Sequence, residues 1–319
     1  MIISPSHSAT DDLISRKKNS TFVQRIVKYR YAYLLLLPCF LYFFIFKLIP
    51  YSGLVIAFQD YSPFTGVWRS NWVGLKHFVG LFTNNLFYLM IRNTFAISLM
   101  NIALYFPVPI ILALMLNEIS SSKYKRVNQS ILYIPHFMSW VVISGLTFFL
   151  LSVDVGLINK LLTDLGREPI MFLSTPGYFW LILTAQSIWR DAGWGTILLM
   201  AAISGIDQEL YEAAVADGAG RMTQIWHITL PSIANTIVVL LILRIGRMFH
   251  IGLEQILLMS NPMVFPVAEV FDTYAYRVGI QAGQASVGTA VGLFKGIVNV
   301  SFVLGANALA KKAGHDGIY

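Results

Sequence analysis

Charged and amide side chains recur at helical intervals inside stretches that are otherwise apolar enough to sit in hydrocarbon. Arg244, Arg247, His250 and Glu254 follow one another at steps of three, three and four, which sets them along one helical face. Gln186 shares a face with Trp189 and Arg190, next to Asp191 and the helix-breaking pair Gly193 and Gly195, while Lys295 and Asn299 stand one turn apart. A charge at the centre of a bilayer costs about 3 kcal/mol on insertion scales, so each should face a bundle interior or a wet cavity and have a partner. Two chemistries fit. The groups can hydrogen-bond a hydroxyl-rich solute along a path, with Trp189 stacking on a sugar ring. Alternatively they form fixed ion pairs, Arg190 with Asp191 or Arg247 with Glu254, that lock helices. Adjacent Arg190 and Asp191 point to different faces, so a partner from another helix is expected for each. Basic groups (Arg190, Arg244, Arg247, Lys295) outnumber acidic ones (Asp191, Glu254), which tilts the balance toward an acidic or polyhydroxylated solute.

A second constellation lies in a polar break between two apolar stretches: Glu212-Ala213-Ala214, then Asp217-Gly218-Ala219, then Ile228-Thr229-Leu230-Pro231. Asp207 is placed to cap a short helix carrying Glu209 and Glu212, and Gly218 and Gly220 permit a turn that a Cβ would hinder. A second short helix is expected to run to Pro231, whose fixed φ suits the first turn of the next helix. The loop is thus a helix-turn-helix facing water, either a plug for a groove on a partner or an amphipathic helix resting on the bilayer.

The elements that carry these groups follow from composition. Aliphatic and aromatic residues make up 56% of the chain and charged residues 12%, with a mean hydropathy of +0.64, which marks an all-α polytopic membrane protein. The single cysteine, Cys39, excludes a disulfide framework and a thiolate cluster. The net charge of +7 does not point to nucleic acid, because the basic residues cluster at the ends of apolar stretches. His136 and His250 have no second ligand at metal spacing, and no P-loop, nucleophile elbow or zinc signature is present, so no cofactor is assigned to this chain and it is expected to hydrolyse nothing alone.

Six transmembrane helices are expected, over about 31–50, 90–116, 131–151, 179–203, 232–260 and 287–309. Arg16, Lys17, Lys18, Arg25, Lys28 and Arg30 precede the first, Lys123, Lys125 and Arg126 lie between the second and third, and Lys311 and Lys312 follow the last. The positive-inside rule then places both termini in the cytoplasm, and crossing parity puts the loop with Glu212 there too. The divisions are a basic tail over 1–30, the first helix and an external loop over 31–89, a core over 90–309 with the polar loop at about 204–231, and a tail over 310–319. The external stretch carries Tyr61, Trp68 and Trp72 with the turn formers Pro63 and Gly66, suited to an interfacial belt or an outside partner. Gly288, Gly292 and Gly296 form a ridge for close helix packing, and Pro107, Pro109 and Pro135 are expected to kink or unwind their helices. No internal repeat is visible.

The spacing of Glu212, Ala213, Ala214, Asp217, Gly218, Ala219, Ile228, Leu230 and Pro231 resembles the EAA loop of permease subunits in binding-protein-dependent ABC importers. Further runs resemble the branch of that family that imports lipo-oligosaccharides, aldouronates or alginate. They are Phe58-Gln59-Asp60-Tyr61-Ser62-Pro63-Phe64, Trp72-Val73-Gly74-Leu75, Arg92-Asn93-Thr94, Arg244-Ile245-Gly246-Arg247, Asp272-Thr273-Tyr274 and Ala290-Val291-Gly292-Leu293-Phe294-Lys295. The resemblance covers about residues 31–319. It implies a type I importer permease fold in the bacterial inner membrane, a second homologous permease subunit, two ATP-binding subunits that hold ATP and Mg, an external solute-binding protein, and an oligo- or polysaccharide cargo. It also implies that the EAA loop docks on the ATPase and that transport runs by alternating access. Because Arg244, Arg247 and Lys295 lie in runs shared across the branch, they do not mark one particular cargo. Two other readings stand beside it. One is an ion-coupled secondary transporter with His250, Glu254 and Asp191 as a relay, for which an inverted repeat is lacking. The other is a non-transporting membrane scaffold.

Overall fold

A computed structural model describes residues 28–315, 317 and 318. Arg16, Lys17, Lys18 and Arg25 lie outside them. The chain divides into two compact units, residues 1–55 and 56–319. Helix α1 (Arg30–Phe58), which belongs to the first but for its last three residues, is long and apolar enough to cross a membrane.

In the second unit a two-stranded antiparallel hairpin, β1 (Gln59–Asp60) with β2 (Asn71–Trp72), comes first. Gly66 turns at φ +71°, which only glycine adopts without strain. Lys76 holds the Asp60 carboxyl below the usual carboxylate range through a 2.9 Å hydrogen bond. Helices follow in order: α2 (Lys76–Phe82), α3 (Phe87–Asn117), α4 (Ser122–Phe137), α5 (Trp140–Leu151), α6 (Leu157–Asp164), α7 (Pro176–Ile203), α8 (Gln208–Ala216), α9 (Arg221–Ile245), α10 (Leu253–Met259), α11 (Phe265–Ala268), α12 (Phe271–Tyr274) and α13 (Ala285–Lys312). Among the described residues four of these, α1, α3, α9 and α13, are long and apolar enough to cross a membrane. A fifth crossing counts if α4 and α5, bent by 99°, make one span.

Helix α7 is the hub, packing on α3, α4 and α9. It forms a core with α3 and α9 around Ala113, Leu199, Ile203 and Ile233, and another with α10 around Leu183, Ile256 and Met259. An aromatic core of Phe249, Phe271 and Tyr274 closes on Val291 of α13.

Three prolines are absorbed by the same device. Each of Pro50, Pro107 and Pro231 stands two residues beyond a π-helical segment, Phe44–Leu48, Asn101–Tyr105 and Ile225–Thr229 respectively. A proline inside an α-helix lacks its N–H and drives its ring into the carbonyl four residues back, and a wider π turn relieves that conflict without ending the helix. The expectation for Pro231 is corrected accordingly, because the second short helix of the polar loop does not stop there. It continues as α9 to Ile245. Pro135 does unwind its helix, into the 3₁₀ turn Ile134–Phe137 at the α4–α5 bend.

Three further expectations are corrected. The span at 232–260 is broken, since α9 ends at Ile245, residues 246–252 are non-helical and α10 begins at Leu253. Arg244, Arg247, His250 and Glu254 therefore do not share one helical face. Gly193 and Gly195 do not break α7, which runs through them. They permit close approach, because a Cβ at Gly193 would collide with the Leu132 carbonyl and one at Gly195 would lie 2.9 Å from Pro109 Cβ. Of the α13 ridge only Gly288 is a tight contact, where a Cβ would meet the Gly279 Cα at 2.9 Å. Gly292 and Gly296 meet nothing within 4 Å.

Candidate functional site: a polar cavity and a docking loop

Where α9 breaks, backbone and side chains open a cavity of about 230 Å³ lined by Asn101 of α3, Trp140 of α5, Arg190 and Asp191 of α7, Arg244 at the end of α9, and Arg247 and His250 of the break. A second cavity of about 260 Å³ shares Arg244 and Arg247 and continues along Tyr105, Trp194 and Leu240. The two arginines stand where the cavities meet.

The arginines differ in what holds them. Arg190 donates through Nη1 to Asp191 Oδ1 at 3.0 Å and through Nε to the Met138 carbonyl at 3.3 Å, and its guanidinium lies 4.7 Å from the Trp140 ring centroid. Asp191 Oδ1 also meets His136 Nδ1 at 3.0 Å, and the His136 ring stacks on Trp194 at 5.2 Å. The adjacent pair thus binds itself, as one reading of the sequence allowed, and Asp191 also takes a partner from α4 as the other expected. Flexible side chains reach across the 100° between neighbours when a third group gathers them on one oxygen. Arg244 donates to Asn101 Oδ1 at 3.1 Å and sits 4.5 Å over the Tyr105 ring, a cation–π pairing that offsets its desolvation. Arg247 is exposed and, among the described residues, its guanidinium meets no acceptor. No Arg247–Glu254 ion pair forms, since Glu254 lies on a separate helix, exposed.

The remaining expected site residues lie elsewhere. Gln186 is buried, donating to Thr147 Oγ1 at 2.7 Å and accepting from Gln255 Nε2 at 3.0 Å, so its amide ties α7 to α5 and α10. Trp189 and Gln186 border a separate, almost wholly apolar hollow on α5 and α7. Lys295 is buried in an ion pair with Asp272, and Asn299 accepts the Phe249 N–H at 3.1 Å. These two fasten α13 to the segments before it. Arg92 and Asn93 fasten α3 to the segment around α11, with Asn93 Nδ2 donating to the Glu269 carbonyl at 2.9 Å. The residues that the sequence reading missed around the cavity are His136, Trp140, Asn101 and Tyr105. Asn101 and Tyr105, four apart in an apolar stretch, carried a readable signal; His136 and Trp140 depend on the bend. No group of three or more His, Cys, Asp or Glu side chains able to hold a metal occurs among the described residues.

The polar loop is built as its sequence requires. Asp207 Oδ1 accepts the Glu209 N–H at 3.0 Å, capping α8. Gly218 turns at φ +79°, and the Ala219 N–H reaches back to the Ala214 carbonyl at 2.8 Å, a glycine C-cap. Gly220 is extended at φ −71°, so the turn requires glycine only at 218. Helix α8 has no buried residue. Glu212, Ala213 and Asp217 are exposed, as are Leu210, Val215 and Met222, while Ala214, Ile228 and Leu230 are half-buried and Pro231 leads α9. The loop thus presents exposed apolar side chains beside the acids Glu209, Glu212 and Asp217.

Residues 105–315 match the family described as the binding-protein-dependent transport system inner membrane component. The chain is 50% identical to the polygalacturonan/rhamnogalacturonan transport system permease protein YteP of Bacillus subtilis (strain 168), across 98% of this chain and 97% of that one. It is 47% identical to protein LplB of the same organism, across 96% of each. Among solved structures it resembles a chain of a bacterial alginate ABC transporter in complex with an alginate pentasaccharide-bound periplasmic protein, with a TM-score of 0.85 and 37% identity over 94% of this chain and 100% of that one. With several helices apolar enough to cross a bilayer, this chain belongs to the family of binding-protein-dependent transport system inner membrane components, the multi-pass permease subunits of ABC transporters.

Proposed function

We propose that the chain is one of two homologous permease subunits of an importer that takes an acidic oligo- or polysaccharide from an external solute-binding protein and passes it inward by alternating access. Two ATP-binding subunits, holding ATP and Mg, dock on the loop at about 204–231, with Glu212 making a charged contact. The observation that carries the ATP-driven reading is α8, a capped helix with no buried residue that displays Leu210, Val215 and Glu212. The acidic cargo is supported by the names of the similar proteins, polygalacturonan/rhamnogalacturonan and alginate transporters, and by the cavity, where Arg247 stands exposed and without an acceptor while Arg190 and Arg244 are held.

In this reading α7 also crosses the membrane, giving six spans, and both termini are cytoplasmic. Lys123, Lys125 and Arg126 on α4 and Lys311 and Lys312 at the end of α13 support that orientation. The path uses the groups that border the cavities, whereas Lys295, Asn299 and Gln186 act as fasteners of the bundle and Trp189 and Glu254 lie off the path. An ion-coupled relay through His250, Glu254 and Asp191 is disfavoured, since Asp191 is engaged by Arg190 and His136. Reconstitution with the ATPase and the binding protein tests the reading. Uptake that requires both ATP and binding protein supports it, and uptake that follows a proton gradient without nucleotide overturns it.

A further inference from the structure

Helix α8 is fastened to the rest of its own chain at few points. It buries no residue, and the ion pair nearby in the loop, Arg221 with Glu118, is long at 3.8 Å and largely solvated, a kind of contact that contributes little. One link is of different quality. The Tyr211 hydroxyl of α8 lies 2.9 Å from Thr229 Oγ1, and Thr229 is buried within the π segment that opens α9. Thr229 Oγ1 in turn donates to the Gln224 carbonyl at 3.4 Å, and the Gln224 side chain donates back to the Ala219 carbonyl in the turn at 2.9 Å. Tyr211 is then the donor to Thr229. The chain of bonds closes a triangle whose sides are α8, the turn at Gly218 and the start of α9.

We infer that Tyr211 is a positioning residue for energy coupling: its hydrogen bond to Thr229 makes α8 and the membrane-crossing α9 move as one body, so that displacement of the docked loop reaches the cavity at the far end of α9. Without the bond, the hydrogen-bonded link between α8 and α9 among the described residues runs through the turn, where Gly218 at φ +79° has no side chain to restrict it. A docked motor then turns α8 without turning α9. This inference rests on the proposed docking of an ATPase on α8, and the two fail differently.

The test uses the full complex with its ATPase, in a Cys39→Ser background with Ile102→Cys, a cavity-lining position, as reporter. Docking is read by crosslinking from Val215→Cys in a parallel preparation. Coupling is read as the change in Ile102→Cys labelling by a thiol reagent when a non-hydrolysable ATP analogue is added. For Tyr211→Phe and Thr229→Val the expected result is unchanged crosslinking and a nucleotide-dependent labelling change that falls roughly fivefold, the factor set by one net hydrogen bond. Thr229→Ser, which keeps the hydroxyl, is expected to stay near the parent. A labelling change in Tyr211→Phe equal to the parent overturns the inference, and so does a loss of crosslinking and labelling in step, which marks a merely structural bond. Absence of any ATPase crosslink in the parent overturns the proposed function instead.

Discussion

Asp191 is the side chain on which the geometry of the cavity wall converges, and its removal can be worked through from the distances. One carboxylate oxygen takes a hydrogen bond at 3.0 Å from His136 at the α4–α5 bend and another at 3.0 Å from Arg190 on its own helix. Asp191→Asn keeps an oxygen at that position and loses the charge, so the cost is the difference between charge-assisted and neutral bonds, about 1 kcal/mol. Asp191→Ala strands both donors and leaves Arg190 without its counter-ion. Removing one partner of a buried pair costs 3–5 kcal/mol, and because both side chains are about a quarter exposed the lower end applies, about 3 kcal/mol. At roughly 3 °C per kcal/mol for a chain of this size, the apparent Tm of the purified assembly falls by about 3 °C for Asn and about 9 °C for Ala. A double-mutant cycle with His136→Ala isolates the contact across the bend, with an expected coupling of about 1 kcal/mol. The reasoning is refuted if Asp191→Ala is no less stable than Asp191→Asn, or if the His136 and Asp191 effects simply add.

Three other outcomes are expected. Glu212→Lys reverses an exposed acidic charge of the proposed docking loop, so the complex assembles fully or weakly while solute-stimulated ATP hydrolysis is largely lost; unchanged stimulation counts against docking through Glu212. Arg247→Gln removes a charge with no partner among the described residues, so in the proposed reading uptake of an acidic oligosaccharide falls about tenfold, the worth of one charge-assisted bond, while a neutral oligosaccharide is carried within a factor of about two; equal losses for both would remove the carboxylate-reading role. Gly193→Ala forces a Cβ into the Leu132 carbonyl and costs about 2 kcal/mol by overpacking, whereas Gly292→Ala is neutral in the same thermal assay.

The polar loop was legible because its determinants are local. An Asp cap, an acidic first turn and a glycine at positive φ act over a few residues, and Asp207 and Gly218 do what their positions require. The prolines were legible as disturbances but not in kind, since nothing within a few residues distinguishes Pro107 and Pro231, each smoothed by a π turn, from Pro135, which bends the chain. The break after Ile245 was hidden because apolar residues continue through Met248, Phe249 and Ile251, so periodicity runs on where the backbone does not. Phe249 and Ile251 are buried there by contacts from distant helices. Gly193 was misread as a helix breaker because its cause, the backbone of α4, lies sixty residues away in sequence. The partners of Asp191 and Lys295 from other helices were equally non-local. His136 and Asp272 become visible as their counter-groups only once the bend in α4–α5 and the turn before α13 bring them near.

The polarity of α7 bears on how the protein is made. With 28 residues it is long enough to cross, yet it is absent from the helices apolar enough to do so by themselves, and Arg190 and Asp191 near its middle each oppose partitioning into lipid. Its neighbour α5, of 12 residues, reaches only about 18 Å, short of the hydrocarbon thickness. In the proposed six-span arrangement neither leaves the translocon unaided. Helix α3, apolar over most of its length, offers Pro109 and Tyr105 as a seat, and α4 brings His136 to hydrogen-bond the Asp191 carboxylate. In that proposed arrangement, α7 is therefore expected to enter the bilayer only against the helices before it, with the insertion order set by electrostatics.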